Sequence, residues 1–151
     1  LRWYEPVDWR DPFVYQDDTQ NRFVMLISAR LKEGPLFRRG CIAVAYSQDL
    51  ENWDVQEPLC TPMLTHCPEC PELFKLGDWW YLVRSRYSEQ MQTLYRVAAS
   101  PDGPWEARKL DTFVQYGVAA GIGLFLVTSL TAGAVMMPVG ADASVVSFRI
   151  R

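Results

Sequence analysis

The chain has 151 residues, 49% of them hydrophobic and 22% charged, with a formal net charge of −3. This length suits one domain that buries about two-thirds of its unfolded surface, and the composition excludes a disordered chain, a collagen-like repeat and a disulfide-dense miniprotein. The negative net charge argues against a protein that binds nucleic-acid phosphates through a basic face. All but three of the charged side chains lie in residues 1–112, and the other three are Asp142, Arg149 and Arg151.

Short runs of aromatic and β-branched residues alternate with turn residues along residues 1–112, which predicts strands and no helices. In chain order, the predicted strands are residues 13–15, 23–30, 41–47, 73–76, 79–86 and 93–100. Gly34 and Pro35 separate the second strand from the third. Gly77 and Asp78 form a two-residue turn, which is typical of a tight hairpin.

These strands form an internal repeat. Residues 12–14 match residues 71–74, residues 28–30 match residues 84–86, and a turn that leads to Trp53 matches one that leads to Trp105. The matching segments are about 50 to 60 residues apart, close to the length of one four-stranded propeller blade. We therefore predict an all-β fold, a β-propeller of which this chain holds about two blades, with each tryptophan on an outer strand and packed between blades.

The four cysteines are Cys41, Cys60, Cys67 and Cys70. Their even number permits disulfides, but a chain of this size does not need them. Cys67 and Cys70 have the spacing of a zinc knuckle, with His66 nearby, but a structural zinc site of that type needs a second such pair. We therefore expect free, partly buried thiols, with no metal and no other cofactor, and keep a small zinc-binding domain as an alternative.

Charged side chains stand where the first strand of each repeat unit begins, Arg10 and Asp11 in the first unit and Glu69 in the second. First strands line the central funnel of a propeller, so we expect these side chains to converge on one pocket. Glycoside hydrolysis requires two carboxyl groups in a pocket, one protonated and one ionised. Apolar neighbours of Glu69 favour the protonated acid, whereas Arg10 beside Asp11 favours the carboxylate. The alternative for each group is a solvated charge at a strand end.

Two motifs resemble those of glycoside hydrolase family 32, which contains invertases, levanases and inulinases. Residues 9–14 (Trp-Arg-Asp-Pro-Phe-Val) resemble the family's Arg-Asp-Pro motif, and residues 69–74 (Glu-Cys-Pro-Glu-Leu-Phe) resemble its Glu-Cys-Pro-Asp-Leu-Phe motif, with Glu72 in place of the usual Asp. The likeness extends from about Trp3 to Phe113. It implies a five-bladed β-propeller that hydrolyses fructosyl or similar glycosidic bonds with retention of configuration.

The resemblance also implies a role for each matching residue. Glu69 would be the general acid/base, Asp11 the transition-state stabiliser, and Arg10 the residue that orients Asp11 and contacts the sugar. Trp9 and His66 are expected to contribute to substrate binding, with packing between blades and an ordinary loop position as their alternatives.

The family's nucleophile is an Asp in a Trp-Met-Asn-Asp-Pro-Asn-Gly stretch, which this sequence does not contain. We expect that stretch to lie upstream of Leu1. A retaining glycosidase needs this group for its double displacement, so the chain by itself is expected to be an inactive part of the enzyme. The competing hypothesis is a carbohydrate-binding propeller module without catalysis.

The chain divides into residues 1–112, which resemble the family, and a divergent tail of residues 113–151, which is uncharged from Phe113 to Ala141. Three interpretations of the tail compete: a frameshifted or misjoined end, a membrane helix over residues 117–137, and buried strands supported by the alternation in residues 145–150. We favour the first, with some local completion of strands.

The expected partner is a carbohydrate, a fructoside or a related glycoside. Nucleic acid is not expected, and neither is a membrane, for which residues 117–137 give only a weak signal. No secretory signal follows Leu1, so we expect a cytoplasmic location.

Overall fold

The computed structural model describes residues 1–61, 63, 65–86 and 92–107, together with the backbone of residues 112–115 and 149–150. Within these residues the fold is all-β, as predicted, apart from one 3-10 turn at Leu36–Arg38. The strands are β1 (Arg10–Asp17), β2 (Arg22–Arg30), β3 (Gly40–Ser47), β4 (Asn52–Val55), β5 (Glu69–Leu76), β6 (Trp79–Arg86), β7 (Gln92–Ala98), β8 (Thr112–Gln115) and β9 (Arg149–Ile150).

The first sheet is an antiparallel meander in the order β1-β2-β3-β4. β2 and β3 pair from Phe23 opposite Ser47 to Arg30 opposite Gly40. The two-residue β9 pairs with β4 in the parallel direction and extends the sheet by one strand. Residues 24–29 of β2 are all buried, and nearly all of them are hydrophobic. Because successive side chains of a strand point to opposite faces, β2 presents buried apolar groups on both faces of the sheet.

The second sheet is an antiparallel meander in the order β5-β6-β7-β8. β5 and β6 join through the predicted two-residue turn, with Leu76 paired to Trp79 and Gly77 in the left-handed region at φ 61°. A left-handed first position is what a tight hairpin of this kind requires, so the prediction of the hairpin is confirmed. Each sheet has the strand order of a propeller blade, and the sequence repeat is therefore a structural repeat.

An apolar cluster joins the two sheets. It combines side chains from β2 and β3 of the first sheet, from β5 and β6 of the second, and from the segment that connects them. Its buried members are Val24, Leu26, Ile42, Val44, Cys60, Met63, Leu73 and Leu82. A separate cluster, built around Tyr4 and Trp53, lies on the opposite face of the first sheet.

Three details of the predicted elements are corrected. β1 begins at Arg10 rather than Phe13, and β5 begins at Glu69 rather than Leu73. In each of these two strands a proline lies two residues after the first residue, and a β-bulge lets the pairing with the neighbouring strand resume beyond that proline. Trp53 lies in β4 as predicted, but Trp105 precedes β8 and packs against the cluster between the sheets.

The tail lies almost wholly outside the described residues, so its three interpretations stay predictions, as does the boundary at residue 112. Among the residues that are described, there is no helix with the length and apolar character needed to cross a membrane.

Candidate active site

The candidate site forms where β1 and β5 begin. Each strand has a bulge at the equivalent place, with Asp11 at φ 54° in β1 and Cys70 at φ 47° in β5. Left-handed backbone is uncommon outside glycine, and bulges often redirect side chains beside active sites. The same bulge in both sheets thus sets the direction of the side chains that meet between them.

Three of the residues expected from the sequence come together here. Arg10 Nη2 donates a hydrogen bond to Glu69 Oε1 at 2.9 Å, and Arg10 Nε lies 4.0 Å from Asp11 Oδ2. The backbone N–H of Cys70 donates to Asp11 Oδ2 at 3.0 Å. Arg10, Asp11 and Glu69 keep 36%, 32% and 27% of their side chains exposed, so a ligand can reach all three from solvent.

The surroundings of Glu69 differ from the apolar setting expected from the sequence. Pro68 and Pro71 are fully buried and face the interior. The carboxylate itself meets the guanidinium of Arg10 across the gap between the two sheets. The apolar neighbours are therefore only part of its environment, because a residue 59 positions away supplies a cation.

The segment that leads to Glu69 docks closely on the start of β3. The N–H of Gly40 donates to the carbonyl oxygen of Thr65 at 3.0 Å, and the N–H of Met63 donates to the carbonyl oxygen of Gly40 at 3.2 Å. A Cβ atom at position 40 would stand 2.6 Å from the Thr65 oxygen. The glycine is therefore needed for this close approach, which fixes where β5 begins.

The four thiols are free, as expected. Burial raises the pKa of Cys67 to about 11, and burial together with the nearby Asp11 and Glu69 carboxylates raises the pKa of Cys70 to about 11. Both are therefore neutral thiols at neutral pH. Within the described part of the chain, no group of three histidine, cysteine or acidic side chains is placed to hold a metal ion.

Trp9 and His66 occupy different surroundings. The indole N–H of Trp9 donates to the carbonyl oxygen of Glu5 at 2.9 Å, and its ring packs edge-on against Tyr4 with centroids 5.1 Å apart. His66 is exposed, and its Nε2 contacts Nη1 of Arg30. Trp9 therefore packs on the N-terminal segment of its own sheet rather than against the second sheet, and sugar contacts by either residue stay predictions.

Sequence reasoning missed Asp8. Its Oδ1 accepts a hydrogen bond from Arg10 Nη1 at 3.1 Å, and its Oδ2 forms an ion pair with Arg30 Nη2. Arg30 ends β2, in the triplet that matches residues 84–86 of the second sheet. An arginine ends the matching triplet in both repeat units, at Arg30 and Arg86, and this recurrence was the available signal in the sequence.

Two propeller blades whose first strands bring carboxylates together resemble part of a β-propeller glycosidase. A mutant of the Bombyx mori GH32 β-fructofuranosidase in complex with sucrose matches with a TM-score of 0.52 and 25% identity, over 63% of this chain and 22% of that chain. A B. subtilis levansucrase mutant matches with a TM-score of 0.58 and 16% identity, over 70% and 34% of the two chains. The Cellvibrio cellulosa α-L-arabinanase matches with a TM-score of 0.51 and 17% identity, over 74% and 36%. The last two identities are low, so those matches show the fold alone.

The family model for the glycosyl hydrolases family 32 N-terminal domain matches residues 4–120. The chain therefore belongs to glycosyl hydrolase family 32, as its two motifs indicate. The fold is a five-bladed β-propeller, of which β1–β4 and β5–β8 are two blades. The chain spans between 22% and 25% of the length of two B. mori β-fructofuranosidase structures that it matches. A comparison with curated proteins found no match.

Proposed function

We propose that this chain supplies the general acid/base and the transition-state stabiliser of a retaining glycosidase that acts on fructosyl bonds. Glu69 protonates the leaving oxygen and then accepts a proton from the attacking water. Asp11 binds sugar hydroxyls as the ring flattens toward an oxocarbenium ion. The observation that supports this most directly is the 2.9 Å hydrogen bond from Arg10 to Glu69, because it joins the two family motifs across the two blades.

Each of the two carboxyl groups is oriented by a hydrogen bond to one of its oxygens. Arg10 holds Oε1 of Glu69, which orients the group so that proton transfer takes place at Oε2. The Cys70 N–H holds Oδ2 of Asp11, which directs Oδ1 toward a sugar hydroxyl. Orientation of this kind lowers the entropy lost when the substrate reaches its reactive geometry.

The double displacement needs a nucleophilic carboxylate about 5 to 5.5 Å from the acid/base. Asp11 is engaged by the Cys70 N–H, and the sequence has no Trp-Met-Asn-Asp-Pro-Asn-Gly stretch. We therefore assign the nucleophile to a part of the protein outside these 151 residues. On this proposal the chain by itself binds the sugar and does not hydrolyse it.

The test compares this chain alone with the same chain joined to an upstream family 32 blade that carries the nucleophile motif. With sucrose, reducing-sugar release is expected only from the joined protein. In that protein, Glu69→Gln is expected to lower kcat about 10²- to 10⁴-fold because the proton donor is lost. Glu51→Gln is the matched control, because Glu51 is exposed on the turn between β3 and β4.

Two outcomes contradict parts of this proposal. Hydrolysis by the chain alone refutes the assignment of the nucleophile to another part of the protein. Full activity of the Glu69→Gln joined protein removes Glu69 from the acid/base role.

A carbohydrate-binding module without catalysis is the second candidate. The observation that favours it is the absence of the nucleophile motif from the sequence. Calorimetry with sucrose and short fructans separates the two functions. Binding by the joined protein without release of reducing sugar supports the module, whereas turnover supports the glycosidase.

A further inference from the structure

A chain of charged groups runs from the N-terminal segment to the candidate site, and Asp8 stands at its centre. Asp8 Oδ1 accepts a hydrogen bond from Arg10 Nη1 at 3.1 Å, and Asp8 Oδ2 pairs with Arg30 Nη2. The Asp8 side chain is 29% exposed. One carboxylate thus bridges two arginines through its two different oxygens.

Arg10 is held at both ends of its guanidinium. Nη1 donates to Asp8, and Nη2 donates to Glu69 at 2.9 Å. An arginine side chain has many rotamers, and a planar guanidinium that binds two acceptors is fixed in rotation as well as in position. The bond to Asp8 therefore limits where Nη2 can be, and Nη2 is the atom that holds Glu69.

Arg30, the second arginine that Asp8 contacts, is itself held in place. Its side chain is only 12% exposed, and its Nε pairs with Oε1 of Glu5. The other oxygen of Glu5 accepts from Arg39 Nη1 at 3.0 Å, and the Glu5 N–H donates to the carbonyl oxygen of Arg30 at 3.0 Å. Asp8 is therefore tied to the end of β2 through an arginine that is itself held in place.

The backbone at Asp8 also suits a specialised role. Asp8 has φ 62°, in the left-handed region that residues other than glycine rarely adopt. This conformation lies two residues before Arg10, and both oxygens of Asp8 reach arginines from it. Strained conformations of this kind persist where the surrounding contacts fix them.

We propose that Asp8 is a positioning residue, which holds the Arg10 guanidinium on Glu69 by linking it to Arg30. The placement of Arg10 by Asp8 depends only on the contacts among these charged groups. Its consequence for catalysis rests on the proposed role of Glu69 as the acid/base.

The test uses Asp8→Asn in the 151-residue chain. Asparagine adopts the left-handed backbone readily and has nearly the same shape, but it has one acceptor oxygen and directs an NH₂ group at the second arginine. We expect separate Nη1 and Nη2 proton resonances for Arg10 in the parent chain, because each nitrogen is held by a different acceptor. In Asp8→Asn these resonances are expected to merge as the guanidinium rotates.

Two further variants make the test decisive. Asp8→Gly also accepts the left-handed backbone and removes the carboxylate entirely, so the same merging is expected. Asp18→Asn is the matched control, because Asp18 is an exposed carboxylate in the turn after β1. Arg10 resonances that stay separate in both Asp8 variants overturn the proposal, whatever the enzyme activity is.

The catalytic consequence is measured on the chain joined to a nucleophile blade. Asp8→Asn is expected to lower kcat by about 10²-fold with a smaller change in KM, because misplacement of a catalytic group by about 1 Å has an effect of that size. If Asp8→Asn merges the Arg10 resonances but leaves kcat unchanged, the effect on catalysis is refuted, whereas the positioning of Arg10 by Asp8 is supported. Separate Arg10 resonances in a joined parent protein that lacks all activity refute the glycosidase function and not the bridge.

Discussion

At the scale of single residues, the bulge at Cys70 explains how Asp11 is held. A bulge places an extra residue in one strand, and the amide of that residue is left out of the ladder of strand hydrogen bonds. A backbone N–H needs a partner, and here Asp11 Oδ2 is that partner at 3.0 Å. The irregularity that redirects the strand thus also supplies the donor that orients the carboxylate.

Glu72 gives a prediction at the same scale. Burial raises the pKa of Glu72 from its ordinary value of 4.5 to about 7. The folded chain therefore binds this proton more tightly than the unfolded chain. Its contribution to stability is complete below about pH 4.5 and is lost as the pH rises through about 7.

We expect Glu72→Gln to remove this pH dependence. The variant should have a higher free energy of unfolding than the parent at about pH 8, with a smaller difference at about pH 5, because glutamine stays neutral throughout. Urea unfolding at the two pH values measures this. Glu51→Gln, at an exposed carboxylate, should show the parent's pH dependence, and an equal response of both variants would refute the effect of burial.

At the scale of elements, the segment between the two sheets positions β5. Gly40 and Thr65 lie so close that only a hydrogen side chain fits between them. The backbone hydrogen bonds of Gly40 with Thr65 and Met63 hold that segment on the start of β3. Glu69 follows directly, so the close approach helps determine where its carboxylate lies.

Gly40→Ala is therefore expected to lower the free energy of unfolding by about 1 to 3 kcal/mol, the usual effect of inserting a methyl group into a packed site. Urea denaturation measures the change. Gly77→Asn is a suitable control, because a Cβ at position 77 meets nothing within 4 Å and asparagine tolerates φ 61°. Equal stability of Gly40→Ala and the parent chain would show that the segment moves aside freely.

At the scale of the whole molecule, the cluster between the sheets links the two blades. Leu82 of β6 is fully buried and packs in the same cluster as Leu26 of β2 and Ile42 of β3. The contacts of Arg10 and Asp11 with the second sheet depend on this packing, since residues 59 positions apart meet only when the blades are in place. The apolar cluster therefore supports the polar site.

Leu82→Ala is expected to lower the free energy of unfolding by about 2 to 5 kcal/mol, because it removes buried methyl groups and leaves a cavity. Leu76→Ala is the matched control in the same sheet, where the side chain is 53% exposed, and a change below about 0.5 kcal/mol is expected.

Hydrogen exchange followed strand by strand tests whether the blades are coupled. If the cluster unites them, Leu82→Ala lowers amide protection in β2 as well as in β6. Loss of protection in β6 alone would show that the sheets open independently.

Local pattern in the sequence was enough for the existence of β1–β3 and β5–β7, the hairpin at Gly77, the two-blade repeat and the family motifs. Each depends on residues close together in the chain: side-chain alternation, a glycine that accepts positive φ, or a short run of letters. These signals also identified Arg10, Asp11 and Glu69 as one group, because the repeat places them at equivalent strand ends. The site roles assigned to them stay predictions.

Only the tertiary structure decided which atoms meet. The strand bounds depend on bulges at Asp11 and Cys70, which no local preference indicates. The guanidinium on Glu69 and the link from Asp8 to Arg30 join residues distant in sequence. Such contacts follow from the packing of one blade on the next, and packing depends on the combined shape of both sheets rather than on any single segment.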